Sequence, residues 1–380
     1  FAPMEEDHPV IAMALYRLHE GRFEQIGISD VKHGFYAQSN DLCAPCENPS
    51  DGTFLGVGCS DTYGVNNNAD RGFLAPRSEV NPYTGVWECE GSHFAGGQPD
   101  CIRRHEGEGH GPLDHRLTTA DADLAIPGAT YYYEAYYVVR RDDARANNLG
   151  SRRFTASWDG SVWTFSTPSS GNPLVLGPAL GRWGQMRTTA SAGPEDGDVL
   201  LAVQTSDLGG GVYRYEYALF NIDSDLQVRS FRIPVPPGAA VENIGFHDPG
   251  GDPADDWTAT VADGAVTWET GPYGDPDARP LSYGLLFNFR FDAAAVPAPV
   301  LAVAGLWRPH DPDHVVVATL GPAVPSAAPG AEVPARLRLS VRPNPTAAGA
   351  TLAFGLPTAG EVSLGVYAPD GRRVRLLFDG

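Results

Sequence analysis

Hydrophobic and polar residues alternate with a period of two in many short stretches of the chain, and this pattern predicts β-strands. The stretch 129–139 is strongly aromatic and β-branched, a composition typical of a strand. The turn at 19–22 and the dipeptide Asp159-Gly160 each separate two such stretches, which indicates hairpins. The strands predicted for the first part of the chain are 10–18, 23–27, 129–139, 152–158 and 161–165.

The second part of the chain shows the same alternation at intervals of about 8 to 15 residues, which is typical of a β-sandwich. Pro234 and Pro236 interrupt one of these stretches, and because proline donates no backbone hydrogen bond, we expect residues 231–236 to form an edge strand. The other predicted strands are 199–205, 212–221, 257–261, 265–269, 283–291 and 315–318.

These patterns predict an all-β protein with several domains. A loop-rich β domain at 1–168 carries a long irregular insertion, because alternation nearly vanishes between residues 32 and 121. Five cysteines in that region favour a disulfide-stapled insertion over a disordered one. After a linker at 167–173 come a β-sandwich at 174–320, a Pro/Ala-rich linker at 321–336 and a partial domain at 337–380.

The last segment carries the most specific motif of the chain. The residues of this motif are Pro343-Asn344-Pro345, Phe354 with Leu356-Pro357, Gly360, Val366-Tyr367, and Asp370-Gly371-Arg372 followed by Val374 and Leu377. By these residues the segment resembles the C-terminal sorting domain of the type IX secretion system and the related immunoglobulin-like repeat of the flagellar hook-capping protein. The resemblance implies an immunoglobulin-like fold, the type IX machinery as partner, and delivery to the medium or the outer cell surface.

The ends of the chain are expected to be incomplete. An immunoglobulin-like sandwich needs about seven strands and 100 residues, so this segment is expected to stop inside its domain. The N-terminus begins with Phe1 and has no signal-peptide pattern, which fits either a removed signal peptide or a gene fragment. The phrases at 32–35, 76–85 and 245–248 resemble exported proteins of environmental bacteria, a resemblance that implies no activity.

Composition narrows the classes of partner. The chain has 44 Gly and 33 Pro, which favours short strands joined by turns over helices. Its formal net charge of −20 argues against nucleic acid or an anionic membrane as partner. It also has no apolar run of about 20 residues that would predict a transmembrane segment.

The five cysteines lie between residues 43 and 101, and in an exported protein such clustering predicts local disulfides. We expect Cys89 to pair with Cys101, and Cys59 to pair with Cys43 or Cys46. The spacing of Cys43 and Cys46 also fits half a zinc site or a redox pair. The odd count leaves one cysteine for a free thiol, a metal or a partner outside the chain.

Histidines suggest a transition metal. Seven of the ten lie in the first 115 residues, and imidazole is a good ligand for zinc or copper. The candidate ligands are His105, His110 and His115, together with His33 or a cysteine. The five-residue spacing does not fit one face of a helix, so the alternative is a flexible loop that happens to be rich in histidine.

Two acidic loops suggest calcium instead, which prefers oxygen ligands. The candidate ligands are Asp61 and Asp70 in one loop and Asp252 and Asp255 in the other. Neither loop matches an EF-hand, so a solvated turn is the alternative for each.

Three functions follow from these features. The first is a secreted or cell-surface binding or structural protein, and the rival is an extracellular copper or zinc enzyme with its site between residues 33 and 115. No G-x-S-x-G nucleophile motif supports a hydrolase. The third is a carbohydrate-binding module for cell-surface polysaccharide, in which Trp257, Trp268, Tyr131 and Tyr133 would stack on sugars if they are not core residues.

Overall fold

A computed structural model describes residues 4–42, 44–49, 51–105, 110–142, 145–323, 338–342, 351–355, 362–367 and 373–379. The protein is built of β-strands, as predicted. The helices α1 and α2 have four residues each, and no helix in the described ranges is long and apolar enough to cross a membrane. The helical segments are α1 (Val65–Asn68), α2 (Asp121–Leu124) and the 3-10 turns Arg71–Phe73, Arg77–Glu79, Arg145–Asn147 and Ala179–Arg182.

The first unit is one eight-stranded sheet, with order β4-β3-β1-β5-β6-β7, in which β2 also pairs with β1 and β8 with β6. The two hairpins predicted from the turn signals are present, β1 with β2 and β6 with β7. The strands are β1 (Val10–His19), β2 (Arg22–Ile28), β3 (Val31–His33), β4 (Leu74–Ala75), β5 (Thr130–Val138), β6 (Leu149–Trp158), β7 (Trp163–Ser166) and β8 (Val175–Leu176).

The second unit is a sandwich of two further sheets. The seven-stranded sheet has the order β13-β16-β11-β10-β9-β22-β21, and the five-stranded sheet has the order β14-β15-β12-β17-β18. A separate pair joins β19 to β20. The strands are β9 (Met186–Ser191), β10 (Asp198–Gly209), β11 (Val212–Asn221), β12 (Val228–Pro234), β13 (Val241–His247), β14 (Thr258–Ala262), β15 (Ala265–Glu269), β16 (Leu286–Ala293), β17 (Val296–Leu306), β18 (His314–Ala323), β19 (Arg338–Arg342), β20 (Thr351–Gly355), β21 (Ser363–Tyr367) and β22 (Arg373–Asp379).

The expected edge strand at 231–236 is wrong, because β12 is the central strand of the five-stranded sheet. It pairs with β15 on one side and β17 on the other. Pro234 is tolerated because the ladder to β17 ends at Arg232, so the proline needs no donor on that side. Strand β17 was not predicted from the sequence, since Pro297 and Pro299 break its alternation.

The seven-stranded sheet is buried on both faces, which makes the molecule a stack of three sheets. In β10, Val199, Leu201 and Val203 belong to the core shared with the five-stranded sheet. Leu200 and Ala202 belong to the core shared with the first unit. A strand covered on both faces has to be apolar at consecutive positions, which explains its unbroken hydrophobic run.

Buried hydrogen bonds join the first unit to the sandwich. The Gln25 side chain donates to the Gly284 carbonyl oxygen and accepts from the Leu286 amide, both at 2.8 Å. Residues beyond the linker at 167–173 still pack on the first unit: β8 pairs with β6, and the Trp183 indole donates to the Gly21 carbonyl oxygen at 2.7 Å.

The C-terminal segment contains two antiparallel pairs, β19 with β20 and β21 with β22. Strand β22 joins the seven-stranded sheet beside β9, where Arg375 pairs with Asp198 and Ser191. The motif residues at 343–345, 356–357, 360 and 370–372, and the turn expected at 369–371, lie outside the described residues.

Candidate metal centre

Four histidine rings come together on the irregular insertion of the first unit. His93 and His105 have ring centroids 3.9 Å apart, His105 and His110 are 4.5 Å apart, and His110 and His115 are 4.9 Å apart. His115 closes the group with a centroid distance of 5.0 Å to His93. The three predicted ligands His105, His110 and His115 therefore lie together, with His93 as a fourth member. We call these four residues the histidine cluster.

The ligand atoms within the cluster lie almost at metal-binding distances. One ring nitrogen from each of His93, His110 and His115 lies within 4.8 Å of the other two. Around a tetrahedral zinc ion with bonds of about 2.0–2.1 Å, neighbouring nitrogens are about 3.3 Å apart. Small side-chain rotations are thus enough to bring three imidazoles onto one ion. His105 hydrogen bonds to His110 through the Nε2 atoms and lies at the same place.

Backbone contacts and one disulfide position the first two histidines. The Cys89–Cys101 disulfide closes a loop that contains His93. Phe94, which is fully buried, accepts hydrogen bonds at its carbonyl oxygen from the amides of Arg104 (2.8 Å) and His105 (3.2 Å). Residue 105 is therefore held beside residue 93 although twelve positions separate them in sequence.

Carboxylates lie beside the other two histidines of the cluster, His115 and His110. Asp30 Oδ2 lies 2.6 Å from His115 Nδ1, and the Asp30 amide donates to the His115 carbonyl oxygen at 3.0 Å. With Nδ1 engaged in this way, Nε2 of His115 is free to bind a metal, an arrangement common behind metal-binding histidines. His115 has a φ of +63°, a left-handed conformation that is uncommon outside glycine and that recurs at functional sites. Asp114 Oδ2 lies 3.7 Å from His110 Nδ1.

The electrostatics favour neutral imidazole, which is the metal-binding form. Burial, and next the neighbouring His105, His115 and His110, lower the pKa of His93 to about 4. The Nε2 atom of His93 is buried and has no hydrogen-bond partner among the described residues. Its backbone amide donates to Glu79 Oε1 at 2.7 Å, which holds the backbone at residue 93.

His33 is not part of the cluster. It is completely buried among Phe35, Trp87 and Phe94, and its Nδ1 lies 2.7 Å from Nε2 of His8. The Glu5 carbonyl oxygen can only accept, so Nδ1 of His8 carries the proton and His33 donates to His8. Burial, and next the neighbouring His8, lower the pKa of His33 well below its usual range.

The described cysteines are engaged in disulfides. Cys89 pairs with Cys101, and Cys46 pairs with Cys59. Both pairs were among those expected from the sequence, and Cys43 lies outside the described residues. The four described cysteines therefore offer no thiolate to the histidine cluster, and their pairing is typical of proteins from an oxidising compartment.

The acidic loops are not assembled into comparable groups. Within the described residues, the three cluster histidines are the one set of at least three histidine, cysteine or carboxylate ligands that lies close enough to hold an ion. Asp61 accepts from the Gln38 amide and Asp70 from the Gly72 amide. Both carboxylates also attract buried Lys32, whose pKa is lowered by burial to about 8.

The second acidic loop is engaged with its own neighbours. Asp252 accepts from the Ala254 amide at 3.0 Å, and Asp255 forms an ion pair with Arg279 at 3.4 Å.

Three of the four aromatic residues considered for sugar stacking are core residues. Trp268 is completely buried, and Trp257 and Tyr131 are nearly so, which excludes stacking on an external sugar. Tyr133 is half-buried.

His93 was missed by sequence reasoning, although a signal for it exists. It is the only histidine between Cys89 and Cys101, so the expected disulfide already ties it to the segment that leads into His105. Neither the family models nor the curated proteins that were searched match this chain.

Proposed function

We propose that this chain binds one zinc or copper ion at the histidine cluster, as an exported metal-binding protein. The observation that carries the proposal is the proximity of the ligand nitrogens of His93, His110 and His115. Imidazole nitrogens suit zinc and copper, whereas calcium and magnesium prefer oxygen. The Asp30 carboxylate contacts Nδ1 of His115, and metal-binding histidines commonly have a carboxylate at the ring nitrogen that does not bind the metal.

Metal content tests the proposal directly. Protein purified without an affinity tag and without added metal is analysed by elemental mass spectrometry, and zinc and copper are then titrated into the chelator-treated protein by calorimetry. We expect about one ion per chain and a single site. The variants His93→Ala and His110→Ala should each weaken binding at least about tenfold, because each removes one imidazole that binds the ion.

The matched control is His314→Ala, which removes a partly exposed histidine of β18 far along the chain from the cluster. It should bind metal as the unaltered protein does. Circular dichroism of each metal-free variant separates lost ligation from lost folding. Absence of micromolar binding by the unaltered protein, or equal binding by the His93→Ala/His110→Ala double variant, would show the proposal to be wrong.

His105 decides between a closed and an open site. A structural zinc site has four protein ligands, whereas a catalytic one has three and a water. If His93, His110 and His115 form the ligand set, His105→Ala keeps the ion and opens the fourth position, which would favour the enzyme alternative. If all four bind, the same variant loses affinity to a similar extent as His93→Ala, which would favour a structural or metal-storage role.

Export by the type IX route is a second part of the proposal. It rests on the motif residues of the segment 337–380 and on two disulfides that suit an oxidising compartment. In a bacterium that has the type IX machinery, the chain should reach the surface or the medium, and deletion of 337–380 should retain it in the periplasm. Export that does not change upon this deletion would contradict the assignment.

A further inference from the structure

A cleft of about 780 Å³ lies between the two units, and none of the four cluster histidines lines it. One wall comes from the first unit, around Arg77 and Val80. The other comes from loops of the sandwich, including Tyr283 and Trp307. Clefts of this size at the junction of two units are common sites for small ligands.

Four side chains that line the cleft have a buried polar atom with no hydrogen-bond partner among the described residues. A buried polar atom that remains unsatisfied destabilises the fold, so native proteins rarely keep several in one place. Three of the four are donors or can donate, and one is an acceptor. The atoms are Tyr283 Oη, Trp307 Nε1, Arg308 Nε and Asp255 Oδ1.

An aromatic pair stands at the same cleft. The rings of Tyr273 and Trp307 meet edge to face with centroids 4.9 Å apart. Tyr273 is 54% exposed, although it is one of the large hydrophobic side chains that a fold normally covers. An exposed ring beside unsatisfied polar atoms suits a ligand that has both apolar C–H surfaces and hydroxyl groups.

The charges that line the cleft cancel. Three arginines face three aspartates, and two of these pairs are in contact, Asp255 with Arg279 at 3.4 Å and Asp225 with Arg308 at 3.5 Å. The chain as a whole carries a formal charge of −20, which disfavours polyanions. The remaining lining charges are Arg77 and Asp248. A neutral ligand therefore fits this environment better than a charged one.

We propose that this cleft binds a neutral saccharide. Tyr273 and Trp307 pack against the faces of the sugar rings, and small rotations of Tyr283, Arg308 and Asp255 bring their unpartnered atoms, which are closed off from solvent in the free protein, into hydrogen bonds with the hydroxyl groups. A hydroxyl group both donates and accepts, so one class of ligand satisfies all four unpartnered atoms. The site is independent of the histidine cluster, and its success or failure says nothing about metal binding.

The experiment is a binding screen on the full chain with neutral oligosaccharides of two to six units, namely cello-, xylo-, malto-, laminari- and chito-oligosaccharides. Hits are measured by isothermal titration calorimetry. Two variants remove one contact each: Tyr273→Ala removes the exposed ring, and Trp307→Phe removes the indole N–H but keeps an aromatic ring. We expect a loss of affinity of about tenfold for the first and about three- to tenfold for the second.

Matched controls use exposed aromatic residues elsewhere in the first unit. Tyr36→Ala parallels Tyr273→Ala, since Tyr36 is also exposed, and Trp158→Phe parallels Trp307→Phe, since Trp158 is half exposed in a different groove. Affinity that falls in the two cleft variants and stays constant in the two controls supports the proposal. It is overturned if no oligosaccharide binds at millimolar concentration, or if the control variants lose as much affinity as the cleft variants.

Discussion

The carboxylate of Asp30 lies 2.6 Å from Nδ1 of His115, in the short connection between β2 and β3. This contact ties the last histidine of the irregular insertion to the rigid sheet of the first unit. It also decides which imidazole nitrogen faces the cluster.

From this contact we predict that Asp30→Asn weakens zinc or copper binding about 10–100-fold, the range typical when a residue that hydrogen bonds to a metal-binding histidine is replaced. The amide can still accept a hydrogen bond but carries no negative charge. Competition with a chelator of known affinity measures the change. The control is Asp313→Asn, because Asp313 contacts exposed His314 at 2.8 Å in an equivalent pair outside the cluster. Equal affinities for the two variants would contradict a role of Asp30 in metal binding.

The two disulfides should differ in their effect on the cluster. Replacing Cys89 and Cys101 by serine is expected to cost about 2–4 kcal/mol of folding free energy and also to weaken metal binding, because that disulfide closes the loop around His93. Replacing Cys46 and Cys59 removes a disulfide of similar loop length, with a separation of 13 residues against 12. This second double variant should lose a similar amount of folding free energy, and its metal affinity should be unchanged. A metal affinity that changes equally in both double variants would refute this distinction.

Acid should destabilise the protein through the buried pair His8 and His33. Burial lowers the pKa of His8 to about 4, from about 6.5 in the unfolded chain. Between these values the unfolded chain binds more protons than the folded one, so stability is complete above pH 6.5 and falls as the pH decreases towards 4. The full contribution of His8 is about 3 kcal/mol.

Urea unfolding of the metal-free protein at several pH values measures this effect. His8→Gln keeps a side chain that can accept from His33 but does not titrate, so its stability should fall less steeply between pH 6.5 and 4. The control is His310→Gln, which alters an exposed histidine. If His8→Gln and the unaltered protein show the same slope, His8 does not govern the acid sensitivity.

The junction between the units should depend on Gln25. Gln25→Ala leaves the buried Gly284 carbonyl oxygen and Leu286 amide without partners, and we expect a loss of about 2–4 kcal/mol. Gln185→Ala is the control, because Gln185 also makes paired contacts, with the Thr205 amide and hydroxyl, but in an exposed position. Denaturant unfolding measures the free energy of unfolding of the two variants. Similar losses in both would show that the buried contacts of Gln25 stabilise the protein no more than the exposed contacts of Gln185.

Local signals in the sequence were enough for many of the strands and for part of the site. The alternation of apolar and polar residues on either side of Asp159-Gly160 predicted the hairpin there. Strand alternation and turn type both depend on neighbouring residues alone. The same holds for the Cys89–Cys101 disulfide and for the grouping of His105, His110 and His115, whose partners are close in sequence.

Only the tertiary structure decided how the strands pair and what surrounds each side chain. A proline suggested an edge strand at 231–236, yet long-range pairing places β12 in the centre of its sheet. The apolar run of β10 is compatible with several arrangements, and stacking of three sheets selects burial on both faces.

The candidate sites show the same division. His33 could bind a metal by its residue type, but it is buried and hydrogen bonds to His8. His93 lies in the cluster because the carbonyl oxygen of Phe94 accepts from the amides of Arg104 and His105. Residues that are distant in sequence meet only when the sheets pack. The sequence by itself therefore determined many of the strands and the histidine-rich loop, while packing between distant segments determined the ligand set and the cleft.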